Sequence, residues 1–411
     1  MRSNDGAAGI LRGRTQRTGV ALLALVVAAT CVVGATAARQ AAGLPYKVVG
    51  KIGKEGTGNG QFSTNAYGVA TDKAGNVYVA DNNNLRIQAF SAKGAFQTKY
   101  AFAPGEAVFD VAVGPTGDVW GTTQTGAQVR RFPTGGGAPE NLSTPKSAEG
   151  IAVDANGNVY VSTNGDTTHV VVRFDKSAAG WEAAKTWVGG GLQEPGDVEV
   201  SADGTIYVAD RRGSPPSVKR YDASGKLLNT INTGHPATAG AGDGYGIGVD
   251  PDCNLWVTNT GQRRVDRFTP SGKLLGSVTS GDLVSTDVAV GPSGDLYVFD
   301  VNTRSVIHFA EDRSKPAAAA VVGRVVVSKG TAKVKYALTG VACPAQIDAT
   351  ASLTGKGIAG KANVKVTAGK TTVIEIPVKA TASGSATFKI VLKTNGRATT
   401  QTRAVKVSVS G

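Results

Sequence analysis

Short apolar runs with a two-residue period, separated by turns rich in Gly and Asp, recur between residues 45 and 312. Six segments align on one frame. The first reads Gly68-Val-Ala-Thr-Asp-Lys-Ala-Gly-Asn-Val-Tyr78-Val-Ala-Asp81, and the others occupy 110–120, 150–160, 197–207, 246–256 and 287–297. Their aromatics, Tyr78, Trp120, Tyr160, Tyr207, Trp256 and Tyr297, lie 42, 40, 47, 49 and 41 residues apart. A second aromatic follows each by 12 or 14 residues: Phe90, Phe132, Phe174, Tyr221, Phe268 and Phe309. Each unit reads as an apolar strand, an Asp-x-x-Gly-Asn turn and an alternating strand, then a third strand ending in the second aromatic. A glycine turn at Gly94, Gly225 or Gly272 introduces a fourth. Four strands in about 40–45 residues make a propeller blade, and no unit carries the 3.6-residue period of a helical solenoid. The sixth unit stops after Phe309, and residues 46–52 supply its missing fourth strand, which closes the ring and removes its open edges. The predicted fold is all-β: a six-bladed propeller over 45–312.

The stretches Gly58-Asn-Gly-Gln-Phe62, Gly68-Val-Ala, Tyr78-Val-Ala-Asp81 and Leu85-Arg-Ile-Gln-Ala-Phe90 resemble the NHL repeat. Units 1 and 5 match best, with Arg86 and Arg264 in the same place, while unit 2 lacks the Asp after the aromatic. The resemblance implies a propeller that binds partners or senses ligands outside the membrane, and it is also similar to six-bladed lyases and lactonases. It therefore constrains fold more tightly than function.

Beyond a linker at 313–320, containing Pro316 and four alanines, seven strand-like runs fill 321–411 and predict a small Ig-like β-sandwich. The charge is divided along the chain. Residues 1–38 carry a net +3, 39–312 a net −4 and 313–411 a net +14, so the overall +13 describes a basic tail on a mildly acidic body. Arg2, Arg12, Arg14 and Arg17 precede an uncharged apolar run, and Ala35-Thr36-Ala37 offers a small-x-small cleavage site. This is the layout of a signal peptide, or of an N-terminal membrane anchor if retained, and predicts a secreted or cell-envelope-anchored protein. Cys31 sits in a poor context for lipidation.

Several residues invite chemistry. The position opening each first strand reads Gly68, Asp110, Gly150, Asp197, Gly246, Asp287, alternating around the ring. In a propeller these positions share one level of the central channel. Asp110, Asp197 and Asp287, with Glu149 beside them, could hold a divalent cation such as Ca²⁺, as the resemblance to six-bladed lactonases implies. The same aspartates could instead cap backbone N–H groups. The loops after the second strands, with Asn82, Asn83, Asn84, Asn164, Asp166, Arg211, Arg212, Gln262 and Arg263, offer a polar platform for a protein or glycan ligand. Cys253 and Cys343 could form a disulfide in an oxidising compartment. His169, His235 and His308 occupy unequal blade positions, which disfavours a shared metal. Gly355-Lys-Gly-Ile-Ala-Gly360-Lys361 mimics a P-loop, but a strand pattern follows where a phosphate cradle needs a helix.

The tail's 16 cations include 12 lysines, with only Tyr336 and Phe388 as aromatics. That pattern suits an anionic cell-wall polymer or lipid head groups, and no nucleic-acid partner is expected. The leading functional expectation is an extracytoplasmic, non-catalytic binding protein. The alternative is a metal-dependent lyase or lactonase-like hydrolase at the channel mouth.

Overall fold

The computed structural model describes residues 44–311 apart from 124, 166–168 and 236–245, together with most of 320–410. The N-terminal segment 1–38 and the linker 313–320 lie outside, or almost wholly outside, the described residues.

Residues 44–311 form six four-stranded antiparallel sheets. The strands of each are named a to d from the channel outward. Strands a of sheets 1 to 6 are Ala66–Thr71, Val108–Val113, Ser147–Val153, Pro195–Val200, Ile247–Val249 and Ser285–Val290. Each touches strand a of the next sheet, and the sixth touches the first, so the sheets surround one axis as a β-propeller. Tyr46–Ile52 pairs antiparallel with Ser305–Glu311 and serves as strand d of sheet 6.

The repeat aromatics are buried at the sheet interfaces. Trp120, Tyr160, Tyr207 and Trp256 are at most 1% exposed. The Asp of the a–b turn anchors both the turn and the aromatic six residues later. Asp72 Oδ1 accepts the N–H groups of Ala74 and Asn76, and its Oδ2 accepts the Tyr78 hydroxyl at 3.2 Å. Asp154 repeats this with Tyr160, and Asp250 with the Trp256 indole N–H. An Asp accepting from its own turn is a local stop signal for strand a, so the motif encodes a turn and a core anchor together. The glycine of that turn has a left-handed φ in five sheets (Gly75, Gly117, Gly157, Gly204 and Gly294), but in sheet 5 the position belongs to Cys253, at φ +56°. Cys253 is buried and disulfide-bonded. Its expected partner, Cys343, lies outside the described residues.

The tail is one eight-stranded sheet wrapped over its own core, with Ala332, Val334, Leu353, Ile374, Ile376, Phe388 and Ile390 inside. Val325–Ser328 runs parallel to Arg397–Ser410, and Thr331–Ala337 pairs with Thr371–Ala380, so the hydrogen bonding continues around the core. The alternation that suggested two facing layers does not reveal that link. The P-loop-like stretch is the hairpin joining Gln346–Gly355 to Ile358–Thr367, with no helix N-terminus to cradle phosphate.

Candidate functional site at the propeller channel

Among the described residues, five a strands carry a bulge, between Ala66/Val69, Val108/Val111, Ala148/Ile151, Pro195/Val198 and Ser285/Val288. The bulge re-aims the Gly/Asp position toward the axis. All three aspartates then make the same two bonds. Asp110 Oδ1 accepts Val111 N–H at 2.7 Å and its Oδ2 accepts Ile151 N–H, in sheet 3, at 2.9 Å. Asp197 takes Val198 N–H and, from sheet 5, Ile247 N–H, both at 2.7 Å. Asp287 takes Val288 N–H at 2.7 Å and, from sheet 1, Val69 N–H at 2.6 Å. Each carboxylate thus ties its sheet to the next one around the ring.

The glycines complete the pattern at the other three interfaces. A Cβ on Gly68 would lie 2.1 Å from Asp110 Oδ1, and one on Gly246 would lie 2.2 Å from Asp287 Oδ1. One on Gly150 would lie 2.5 Å from Asp197 Cα. The alternation along the sequence is therefore a three-fold set of inter-sheet staples, each seated against a glycine. Both oxygens of every Asp are engaged by backbone N–H groups. Among the described residues, no group of three His, Cys, Asp or Glu stands in an arrangement able to hold a metal ion.

Close carboxyls with little water repel, and protonation relieves them. Burial, then the Asp287 charge, pushes Asp110 and Asp197 well above the usual carboxylate range. Burial likewise raises Asp287 to about 6, against the pull of its N–H bonds from Val69 and Val288. Glu199 is raised to about 8 by burial and then by Asp287. Sequence reasoning missed Glu199. It follows Asp197 by two residues, where the other sheets have Ala70, Ala112, Ala152, Gly248 and Ala289, so the signal was an acid in an otherwise small-residue column.

Glu149 does not join the aspartates; it belongs to the mouth of the channel. Its carboxylate meets the Arg211 guanidinium at 3.2 Å, Arg211 also meets Glu194 at 3.2 Å, and Arg212 meets Glu194 at 2.5 Å. Gly196 makes room for this chain: a Cβ there would lie 3.0 Å from Arg211 Cδ. Tyr67 and Phe109, in neighbouring a strands one residue before Gly68 and Asp110, are half-buried with ring centres 4.9 Å apart. Burial, then the Glu149 charge, raises the Tyr67 hydroxyl.

The loop residues divide into two groups. Asn82 is buried and donates to the Val108 carbonyl, Asn84 donates to the Gly56 carbonyl and Asp81, and Asn164 donates to the Pro195 carbonyl. These three amides bind the fold's own backbone. Asn83, Arg212, Gln262 and Arg263 are exposed, and Arg263 pairs with exposed Asp282. Asp166 lies outside the described residues. The histidines have separate partners: Asn164 for His169, Asp266 for His235, and the Tyr297 ring with Asp295 for His308.

The strand order and closed ring define this part of the chain as a β-propeller. Residues 66–90 match the model of the NHL repeat. No curated protein matches the chain. Among solved structures, it is similar to a streptogramin B lyase (13% identity, TM-score 0.47, covering 64% of this chain and 97% of that one). It is likewise similar to a virginiamycin B lyase from Staphylococcus aureus (16%, 0.46, 71% and 96%). A gluconolactonase from Xanthomonas campestris is similar too (15%, 0.48, 65% and 97%). At these identities the likeness concerns fold alone.

Proposed function

We propose that this chain is an exported, non-catalytic binding protein. Its propeller engages a protein or glycan on the face formed by the b–c loops and the channel mouth, and its basic tail attaches it to an anionic polymer of the cell envelope. The observation that carries the reading is the division of labour around the channel. The axial aspartates are engaged in joining sheets, while the mouth presents the Tyr67–Phe109 pair, the Glu149–Arg211–Glu194–Arg212 chain and the exposed side chains of Asn83, Gln262 and Arg263. A rigid scaffold carrying varied polar and aromatic groups is the usual construction of a recognition surface. The test is retention of the secreted chain on isolated cell envelope at about 0.5 M salt, where screening releases the basic tail and leaves the loop face to hold the chain. An Arg212→Glu/Arg263→Glu variant should lose at least about tenfold in affinity. Unchanged retention at equal fold content overturns the loop-face reading.

One observation favours a second reading, a metal-dependent lyase or lactonase-like hydrolase. Burial and the Asp287 charge push Glu199, among the channel aspartates, up to about 8, which suits a general acid or base. Elemental analysis of the purified chain, beside the Asp110→Asn/Asp197→Asn/Asp287→Asn variant, tests it. Near-stoichiometric metal lost in the variant supports it, and no metal after incubation with Ca²⁺, Mg²⁺ and Zn²⁺ removes it.

A further inference from the structure

On the opposite, turn-bearing face, sheet 3 contains something the repeat does not predict. Between its third and fourth strands it inserts a small hairpin, Lys176–Ser177 against Gly180–Trp181. Sheets 1, 4 and 5 bridge the same gap with tight turns at Gly94, Gly225 and Gly272. The hairpin carries Trp181 onto sheet 2, edge-on to Trp120 at 4.8 Å, with its indole N–H donating to the Gly157 carbonyl at 2.8 Å. Between Trp181 and sheet 2 lies a cavity of about 310 Å³, whose lining includes Trp120, Arg131, Lys176, Asn156 and Asp118. It adjoins a second cavity of about 300 Å³ at the turn-side end of the channel, with Gly114, Pro115, Val153 and Asn156 common to both.

The cavity's polar groups are unbalanced toward donors. The Asp118 carboxylate is taken by the Thr134 N–H, the Thr116 hydroxyl and Arg131. Arg131 spends its terminal nitrogens on Asp118 and Glu140, yet its Nε is buried with no hydrogen-bond partner. The Lys176 ammonium rests over the Trp181 ring, 3.5 Å from its centre, with no ion-pair partner among the described residues. A buried donor left unmet is costly, and a charged acceptor that meets it makes one of the stronger hydrogen bonds. Trp181, half-buried, is the aromatic that borders the cavity, with the Arg131 guanidinium 4.7 Å from its ring centre, whereas Trp120 is sealed beneath it; Asn156 is exposed on the cavity's rim.

We propose that this crevice between sheets 2 and 3 binds the carboxylate of an acidic sugar. The carboxylate meets the Arg131 Nε–H and the Lys176 ammonium, and the sugar ring lies against the half-buried Trp181. The volume accommodates one sugar unit, and the adjoining cavity accommodates a neighbour, so a free uronic acid and a uronate within a polymer present the same chemistry. This site stands apart from the loop face and does not depend on the function proposed for that face.

Calorimetric titration of the full chain with glucuronate, galacturonate, trigalacturonate, galactose and inorganic phosphate tests the proposal. Millimolar or tighter binding of the uronates is expected, with a change in tryptophan fluorescence. Lys176→Gln should weaken it at least about fivefold and Lys176→Arg should retain it. Tighter binding of trigalacturonate than of galacturonate assigns the site to a polymer, and equal binding assigns it to the free acid. Lys226→Gln, in the exposed c–d turn of sheet 4, should leave uronate binding unchanged. Galactose or phosphate binding as well as the uronates, indifference to Lys176→Gln, or no uronate binding up to about 10 mM overturns it.

Discussion

Single residues in this propeller are constrained by what the next sheet does to them. Gly68 is needed because Asp110 of sheet 2 occupies the place of its Cβ. Gly68→Ala should cost about 3 kcal/mol, since backbone and a stapled carboxylate would both have to move. Gly105→Ala, where nothing lies within 4 Å and only a φ of +86° objects, should cost about 1 kcal/mol. Equal losses in thermal unfolding would mean that the inter-sheet approach is unimportant. Cys253 shows the converse case: a left-handed position that five sheets give to glycine is held by a side chain whose use is covalent. Both variants lacking the disulfide, Cys253→Gly should be more stable than Cys253→Ser by about 1 kcal/mol. The Gly/Asp alternation was legible in the sequence, and so was its convergence at one level of the channel. What the carboxylates accept was not, because each second donor lies 41 or more residues away and depends on a bulge that no local pattern marks.

At the scale of elements, the a–b turn does the most per residue. Asp250 collects the N–H groups of Asp252 and Asn254, the Trp256 indole and the Arg267 guanidinium. Asp250→Ala leaves those donors and a largely buried cation without their acceptor, and should destabilise by about 3–5 kcal/mol in urea unfolding. Asp222, in an exposed c–d turn, accepts from Ser224 and Lys226, and its removal should barely move the midpoint. Strand periodicity made these turns and the closing strand Tyr46–Ile52 readable in the sequence, since an unfinished sixth unit and an orphan strand at the start imply each other. Removing residues 44–52 exposes the edge of Ser305–Glu311 and should drive the chain into aggregates in size-exclusion chromatography. The hairpin carrying Trp181 was not readable. It has no counterpart in the repeat, and its contacts are to another sheet.

Over the whole molecule, two populations of carboxyl groups set opposite responses to pH. Burial alone would raise Asp266, but hydrogen bonds from His235, Asn259 and Ser277, with the Arg264 charge, bring it down to about 2. A group held below its unfolded value of about 4 adds stability above that pH, and the contribution disappears as the pH falls through the folded value. Asp287, at about 6, and Glu199, at about 8, behave in reverse. The folded chain binds their protons more tightly than the unfolded chain does. Their contribution is therefore complete below about pH 4 and is lost as the pH rises through 6 and then 8. Stability should peak near pH 4 and fall by several kcal/mol toward pH 8, read from urea midpoints at pH 4, 5, 6.5 and 8. Glu199→Gln should flatten the upper half of that fall, because the amide has no proton to lose. A profile that is flat or rising from pH 5 to 8 would mean that the axial carboxyls ionise without penalty. Recovery of the lost stability on adding Ca²⁺ at pH 8, absent in the Asp110→Asn/Asp197→Asn/Asp287→Asn variant, would mean that a cation can replace the shared protons. The metal-dependent reading would then gain over the binding one, because the same carboxyls that lock the ring in acid would form a cation site in base.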